Sequence, residues 1–264
     1  MSLYFDGTGG IELGGPSFPF PTQINLNTSS RFSFVAWFCP EDNTSLQTIV
    51  ELHDGASSAW SLTLAGDVSG DPIRARIDGT TGVGNPAGRG GYGFNRWSVA
   101  SFSLVAATAA QVFLNNGAKD SQYTNMNVGQ GPPIITQIGI GTSILRGANY
   151  FKGYLAHLAI YNIRQQTNSY LSSVAAGYSP ASVWKSNLVA YWPLTEPGPQ
   201  FNLASPKSSS SYPLPINNTG VRYSNWNPPV KLLLPQKTKI AFEPAAQNNS
   251  PIFYHHRQQQ GMAS

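Results

Sequence analysis

The segment Asn187-Leu-Val-Ala-Tyr-Trp-Pro-Leu-Thr195 constrains the fold more than any other, because it is apolar on both faces. Val189, Tyr191 and Pro193 alternate with Leu188, Ala190, Trp192 and Leu194, so a strand here can leave neither face in water. Such a strand must enter a sheet, and the segments able to build a large one all precede it. Residues 178–264 alone carry too few good strands for a core of their own. The expectation is that Leu188–Leu194 pairs inside the sheet built by residues 3–162.

The preceding segments read as short strands between Gly, Asp and Asn turns. Arg31–Cys39 is apolar enough for burial on both faces. Gln47–His53, Trp60–Ala65, Ile73–Asp78, Arg96–Val105, Gln111–Leu114 and Ile134–Gly141 follow. Ile73-Arg-Ala-Arg-Ile-Asp78 alternates cleanly and places Arg74 and Arg76 on a wet face. Asn115-Asn-Gly117 has hairpin chemistry, since Asn-Gly tolerates positive φ. Phe151–Tyr161 reads as a long strand with Leu155, His157, Ala159 and Tyr161 on one face and Tyr154, Ala156, Leu158 and Ile160 on the other. His157 in that setting reads as a satisfied sandwich histidine. One helix is expected, Asn168–Ala176, with Thr167 as its N-cap and Gly177 as its stop.

Composition agrees with many short strands: 26 Gly and 20 Pro among 264 residues, with only 11% charged. The single cysteine, Cys39, excludes an intrachain disulfide framework and a cysteine-based zinc site. No apolar stretch approaches the roughly 20 residues of a membrane span. Met1–Asp6 lacks the basic and apolar regions of a secretory signal. The formal charge of +4 is uneven: residues 1–177 hold nine Lys/Arg against ten Asp/Glu, and residues 178–264 hold seven against two. The C-terminal cations are scattered, so nucleic acid is not an expected partner, and an acidic protein surface suits them as well.

Several segments together resemble the laminin-G-like branch of the concanavalin-A-like lectin/glucanase superfamily. They are Phe5-Asp-Gly-Thr-Gly-Gly-Ile-Glu-Leu13, Phe32-Ser-Phe-Val-Ala-Trp-Phe-Cys-Pro40, Arg96-Trp-Ser-Val-Ala100, Val112-Phe-Leu-Asn-Asn-Gly117, Ile138-Gly-Ile-Gly141 and Phe151–Asn162. Arg164–Gly177 looks like that family's closing helix, and Leu188–Leu194 with Asn202-Leu-Ala-Ser205 like its opening strand and following turn. The resemblance implies an all-β antiparallel sandwich, a concanavalin-A-like jelly roll. The late position of that opening strand implies either a permuted sandwich or pairing of the strand with a neighbouring copy. The sandwich, with one short helix, would span residues 1–205, and a Pro/Ser/Asn-rich basic extension 206–264. Similar permuted sequences with a Pro-rich basic tail resemble structural proteins of phages and other viruses.

No catalytic constellation accompanies the fold. Glucanases of the superfamily place carboxylates alternately along one strand, whereas Glu51-Leu-His-Asp54 spaces its two acids onto opposite faces. No Gly-x-Ser-x-Gly elbow occurs. The chain is therefore expected not to be an enzyme and to need no cofactor. No metal site is expected either, since calcium wants several carboxylates together. Asp67 and Asp71, in separate exposed loops, are the weak calcium candidates. The Gly-rich stretch 79–95 lacks the Gly-Lys-Ser/Thr of a phosphate cradle and reads as a flexible loop. Its Arg89, Tyr92 and Phe94 are candidates for a glycan or partner contact.

Two functional expectations follow. The first is a non-catalytic virion subunit, such as a capsid decoration, that assembles with copies of itself or other subunits. Its arm would dock through Lys231, Leu232, Leu233, Leu234, Lys237, Lys239 and Phe242, on a virion or extracellular surface. The second is a carbohydrate-binding lectin or adhesin module that recognises cell-surface glycans.

Overall fold

The structure is a computed structural model, which describes residues 2–14, 24–25, 32–56, 59–79, 82–84, 87–106, 109–114, 134–163, 169–194 and 220–230. Along the chain the strands are β1 (Ser2–Asp6), β2 (Ile11–Leu13), β3 (Ile24–Asn25), β4 (Ser33–Pro40), β5 (Leu46–His53), β6 (Ala59–Ala65), β7 (Pro72–Gly79) and β8 (Gly82–Gly84). They continue with β9 (Ala87–Gly91), β10 (Ser98–Ala106), β11 (Ala109–Leu114), β12 (Ile134–Ile135), β13 (Gln137–Ile140), β14 (Lys152–Tyr161), β15 (Leu188–Trp192) and β16 (Val221–Ser224). The helix α1 spans Ser169–Ala175.

Two sheets, antiparallel throughout, form the layers of a β-sandwich. The first runs β11-β10-β4-β14-β1-β16, with β15 also on β14; the second runs β2-β13-β5-β6-β7-β8, with β9 also on β7. β12 and β3 make a small separate pair. The core between the layers is set by alternation. Leu3 and Phe5, Phe34 and Phe38, and Phe102 and Leu104 point inward from the first sheet; Val50 and Leu52, Trp60, Leu62 and Leu64, and Ile73, Ala75 and Ile77 meet them from the second. Phe34 stacks on its cross-strand neighbour Phe102 at 4.8 Å within the first sheet, and Phe32 meets Trp60 of the second sheet edge-on at 6.1 Å, which ties the two layers together.

The strand Leu188–Trp192 enters the first sheet as expected, and its position shows how the permutation is accommodated. One side of β14 is covered along its length by β4. On the other side, Lys152–Leu155 pair with β1 and Leu158–Tyr161 pair with β15. The two strands thus lie end to end along β14, both antiparallel to it. At the seam, His157 adopts φ 52°, its amide donates to the Pro193 carbonyl at 2.9 Å, and the β14–β4 register shifts between Ala156 and Ala159. This bulge breaks the strict alternation read from sequence: Leu155, Leu158 and Ile160 face the central core, while Ala156, Ala159 and Tyr161 face outward. Gly153, at φ +136°, is required beside it, because a Cβ there would lie 2.2 Å from the Cys39 carbonyl oxygen.

Other expectations need correction. The glycine-rich stretch after β7 is not simply a loop: β8 and β9 both pair with β7. Arg76 is not on a wet face, because its side chain is only 12% exposed and pairs with Asp78. β16 lies inside the stretch assigned to the 206–264 extension. β16 pairs with β1, and the compact unit runs to Leu232, because Val221 and Tyr223 still alternate apolar groups onto the core. The Asn115–Gly117 hairpin, the Thr167 cap and the 195–219 segment lie outside the described residues.

Candidate aromatic binding face

The outer face of the first sheet divides into two parts. On one part, α1 and the following turns cover Val35, Trp37, Val99, Phe113 and Ala159 with Tyr170, Leu171 and Val174. The other part is an aromatic surface. Tyr4 and Asp6 point outward because Leu3 and Phe5 point inward, and Tyr4 pairs with Arg222 on one side and Tyr154 on the other. The same row continues through Cys39, opposite Tyr154, toward Trp97, the residue preceding β10.

The rings touch in sequence. Tyr4 and Tyr154 lie 5.0 Å apart, Tyr154 and Trp226 4.8 Å, and Trp226 and Trp97 6.4 Å. Trp226 is delivered by the chain after β16, which turns back over the sheet. The Ser2 hydroxyl donates to its carbonyl at 2.6 Å, and its amide donates to the Ser224 hydroxyl at 3.1 Å, so its backbone is held at both ends. The indole is nevertheless 42% exposed.

Charged groups frame the rings. The Arg222 guanidinium lies over the Tyr4 ring, 4.6 Å from its centroid. The Tyr4 hydroxyl donates to Glu41 at 3.0 Å, and Glu41 also bears on the Tyr154 hydroxyl. Partial burial, then the neighbouring Glu41 carboxylate, raises both phenols above their ordinary value. Lys152 is exposed opposite Asp6. Beneath the row, burial pushes the Cys39 thiol up to about 12, with Glu41 adding to the effect. Cys39 is therefore expected to resist Ellman's reagent in the folded protein and to react fully only after denaturation. Rapid labelling of the native protein would show that this face opens.

The candidate residues named from sequence fall elsewhere. Tyr92 is 5% exposed and packs edge-on against Phe38 in the core at 6.3 Å, so it is a core residue and not a contact residue. Phe94 is exposed on the turn leading to Trp97, and Arg89 lies in β9 with its side chain outside the described residues. Asp71 accepts from the Asn43 amide at 3.1 Å and Asp67 sits on an exposed turn. No group of three or more His, Cys, Asp or Glu able to hold a metal occurs among the described residues. Lys231, Leu232, Leu233, Leu234, Lys237, Lys239 and Phe242 lie outside the described residues. Of the aromatic face itself, alternation in Leu3-Tyr-Phe-Asp6 could have exposed Tyr4, but Trp226 stands in a Pro-rich stretch with no periodicity to reveal it.

The outer face of the second sheet holds carboxylates that sequence spacing did not connect. Glu51 and Asp78 both hold down the 141–148 loop, which lies so close over β13 that a Cβ on Gly139 would meet the Thr142 carbonyl oxygen at 2.5 Å. Glu51 accepts from the Ser143 hydroxyl at 2.7 Å and the Leu145 amide at 2.9 Å; Asp78 accepts from Arg76 at 2.8 Å and Arg146 at 3.3 Å. Burial raises the Glu51 carboxyl above the usual carboxylate range, and its hydrogen bonds only partly offset that. Glu51→Ala orphans a buried amide and a hydroxyl and should cost about 2 kcal/mol in urea unfolding, whereas Glu51→Gln should cost less than half of that. Equal losses in the two variants would show that the carboxyl does not fasten the loop.

This architecture is the concanavalin-A-like sandwich. The chain is similar to domain 4 of AbnA, a GH43 extracellular arabinanase from Geobacillus stearothermophilus solved with arabinotriose. They are 18% identical at TM-score 0.50, covering 66% of this chain and 76% of that one. It is also similar to a candidate carbohydrate-binding protein of Bacteroides ovatus, at 14% identity and TM-score 0.54, covering 85% of this chain and 60% of that one. At these identities the likeness concerns the fold. No protein-family model matches the sequence, and no curated protein matches it at comparable stringency. No helix among the described residues is long and apolar enough to cross a membrane.

Proposed function

We propose that this protein is a non-catalytic carbohydrate-binding module that receives glycan on the outer face of its first sheet. The observation that carries the proposal is the contiguous row of Tyr4, Tyr154, Trp226 and Trp97, with Arg222 stacked at its end. Single exposed aromatics need no explanation, but a run of touching rings beside exposed charged groups is the composition of a binding site. The C–H faces of sugar rings carry slight positive charge and pack against the negative faces of aromatic rings, while charged side chains take the hydroxyls. Because the Trp226 backbone is tied down, little ordering cost remains to be met on binding. The arabinanase domain, which shares this fold, holds arabinotriose in its structure.

A glycan array probed with the full-length chain tests this reading. Saturable binding is expected, and Trp226→Ala should weaken it at least tenfold while leaving the unfolding transition nearly unchanged. Equal binding by the variant, or no binding to any glycan, would sink it.

Assembly on a virion or another extracellular surface is the competing reading, carried by charge asymmetry and by arm residues outside the described ones. It requires self-association or capture by other subunits. A full-length chain that stays monomeric at all accessible concentrations would count against the homo-oligomer.

A further inference from the structure

We infer that the glycan accepted on this face is an uncharged chain of several sugar rings lying across the strands, and not a single terminal or acidic sugar. This rests on the carbohydrate-binding reading and specifies its ligand.

The length of the face carries the first half of the inference. Arg222, Tyr4, Tyr154, Cys39 and Trp97 occupy successive positions on β16, β1, β14, β4 and the entry to β10. Adjacent strands are spaced about 4.8 Å apart, so the row extends about 19 Å perpendicular to them. That distance exceeds one sugar ring several times over. Among the described residues the row starts at exposed Arg222 and passes exposed Trp226, so at neither position is it closed around a terminal residue.

The charges carry the second half. Arg222 and Lys152 supply two cations. Glu41 and Asp6 oppose them, with Asp6 acting electrostatically on Arg222 and Glu41 on Tyr4. Asp42 adds a third carboxylate acting on Lys152. Two cations stand against three carboxylates there, so these groups give an acidic glycan no net attraction. An uncharged sugar can use both signs, donating hydroxyls to Glu41 and accepting from Arg222. Its binding draws on ring packing and short-range hydrogen bonds, which salt screens little.

Isothermal titration of the full-length protein tests the inference, with arabinan, laminarin, xylo-oligosaccharides of increasing length, polygalacturonate and heparin as probes. At least one uncharged polysaccharide should bind, with a Kd that changes less than about twofold between low and high salt. In that series affinity should rise at least tenfold from the monosaccharide to the tetrasaccharide. Arg222→Gln should weaken binding severalfold, equally at both salt concentrations. Binding confined to polygalacturonate or heparin and lost in high salt would overturn the inference, yet leave the carbohydrate-binding reading intact. A monosaccharide that binds as tightly as the tetrasaccharide would do the same. Absence of binding to every probe would overturn both.

Discussion

Truncating Trp192 to alanine is expected to destabilise the sandwich by about 3–5 kcal/mol, the range for deleting a buried aromatic side chain. Trp192 is fully buried and faces the central core from β15, opposite Leu158. The neighbouring half of β14 is filled by β1, so no other described strand covers the cavity left behind. Urea unfolding of wild type and variant gives the loss as a shift in midpoint at constant slope. The strand belongs to the same chain that supplies β14, so the loss should not depend on protein concentration. A midpoint that rises with concentration would mean that a second copy supplies this strand in solution. A loss below about 1 kcal/mol would mean that β15 is peripheral to the core, contrary to its burial.

Acidification from neutral pH to pH 4 is expected to remove about 3 kcal/mol of stability through His157 alone. Burial lowers this imidazole from 6.5 to about 4. Its Nδ1 lies 2.6 Å from the Tyr191 hydroxyl, which also accepts from Ser179 at 3.3 Å. Either group can be the donor, depending on the imidazole tautomer, because the Tyr191 oxygen keeps a second lone pair beside the one that Ser179 uses; the lowered value follows from burial. The sign follows from linkage. Above pH 6.5 the imidazole is neutral whether folded or unfolded, and its contribution is fully present. Between pH 6.5 and 4 only the unfolded chain takes up the proton, so stability falls with pH. Each unit of separation is worth about 1.4 kcal/mol, which gives the total stated. Glu51 acts in the opposite direction, since its raised carboxyl favours the folded state as pH falls. The test is therefore the difference between wild type and His157→Gln, whose amide can either accept from or donate to the Tyr191 hydroxyl. Wild type should lose stability more steeply below pH 6.5, and parallel curves would refute the assignment.

How far the sequence revealed the fold depended on whether the information was local. Phe34, Phe38, Trp60, Leu62, Ile73 and Ile77 announce the core by alternation, since a strand with one dry face needs an apolar residue at every second position. The helix after residue 168 was legible from its local stop signal, and the Tyr191-Trp192 strand from being apolar on both faces, which are likewise local properties. Tyr92 misled because an aromatic in a glycine-rich stretch looks like a recognition tip, and only packing against Phe38 shows it to be core. The change of face at His157 was invisible, because it comes from a positive φ imposed where β15 ends and β1 begins.

The candidate site was the least legible part. Tyr4, Tyr154, Trp97 and Trp226 are separated by up to 222 residues in sequence, and no spacing rule joins them. Glu51 and Asp78 likewise meet over one loop only because β5, β6 and β7 lie side by side. The sequence by itself determined a chain of many short strands, because apolar alternation is a property of each strand taken alone, and the permuted sandwich was what its family resemblance implied. Only the tertiary structure decided which aromatics form a surface, how two strands share one side of β14, and where the carboxylates are used. Those outcomes depend on register between distant strands, and register is fixed by the whole core acting at once.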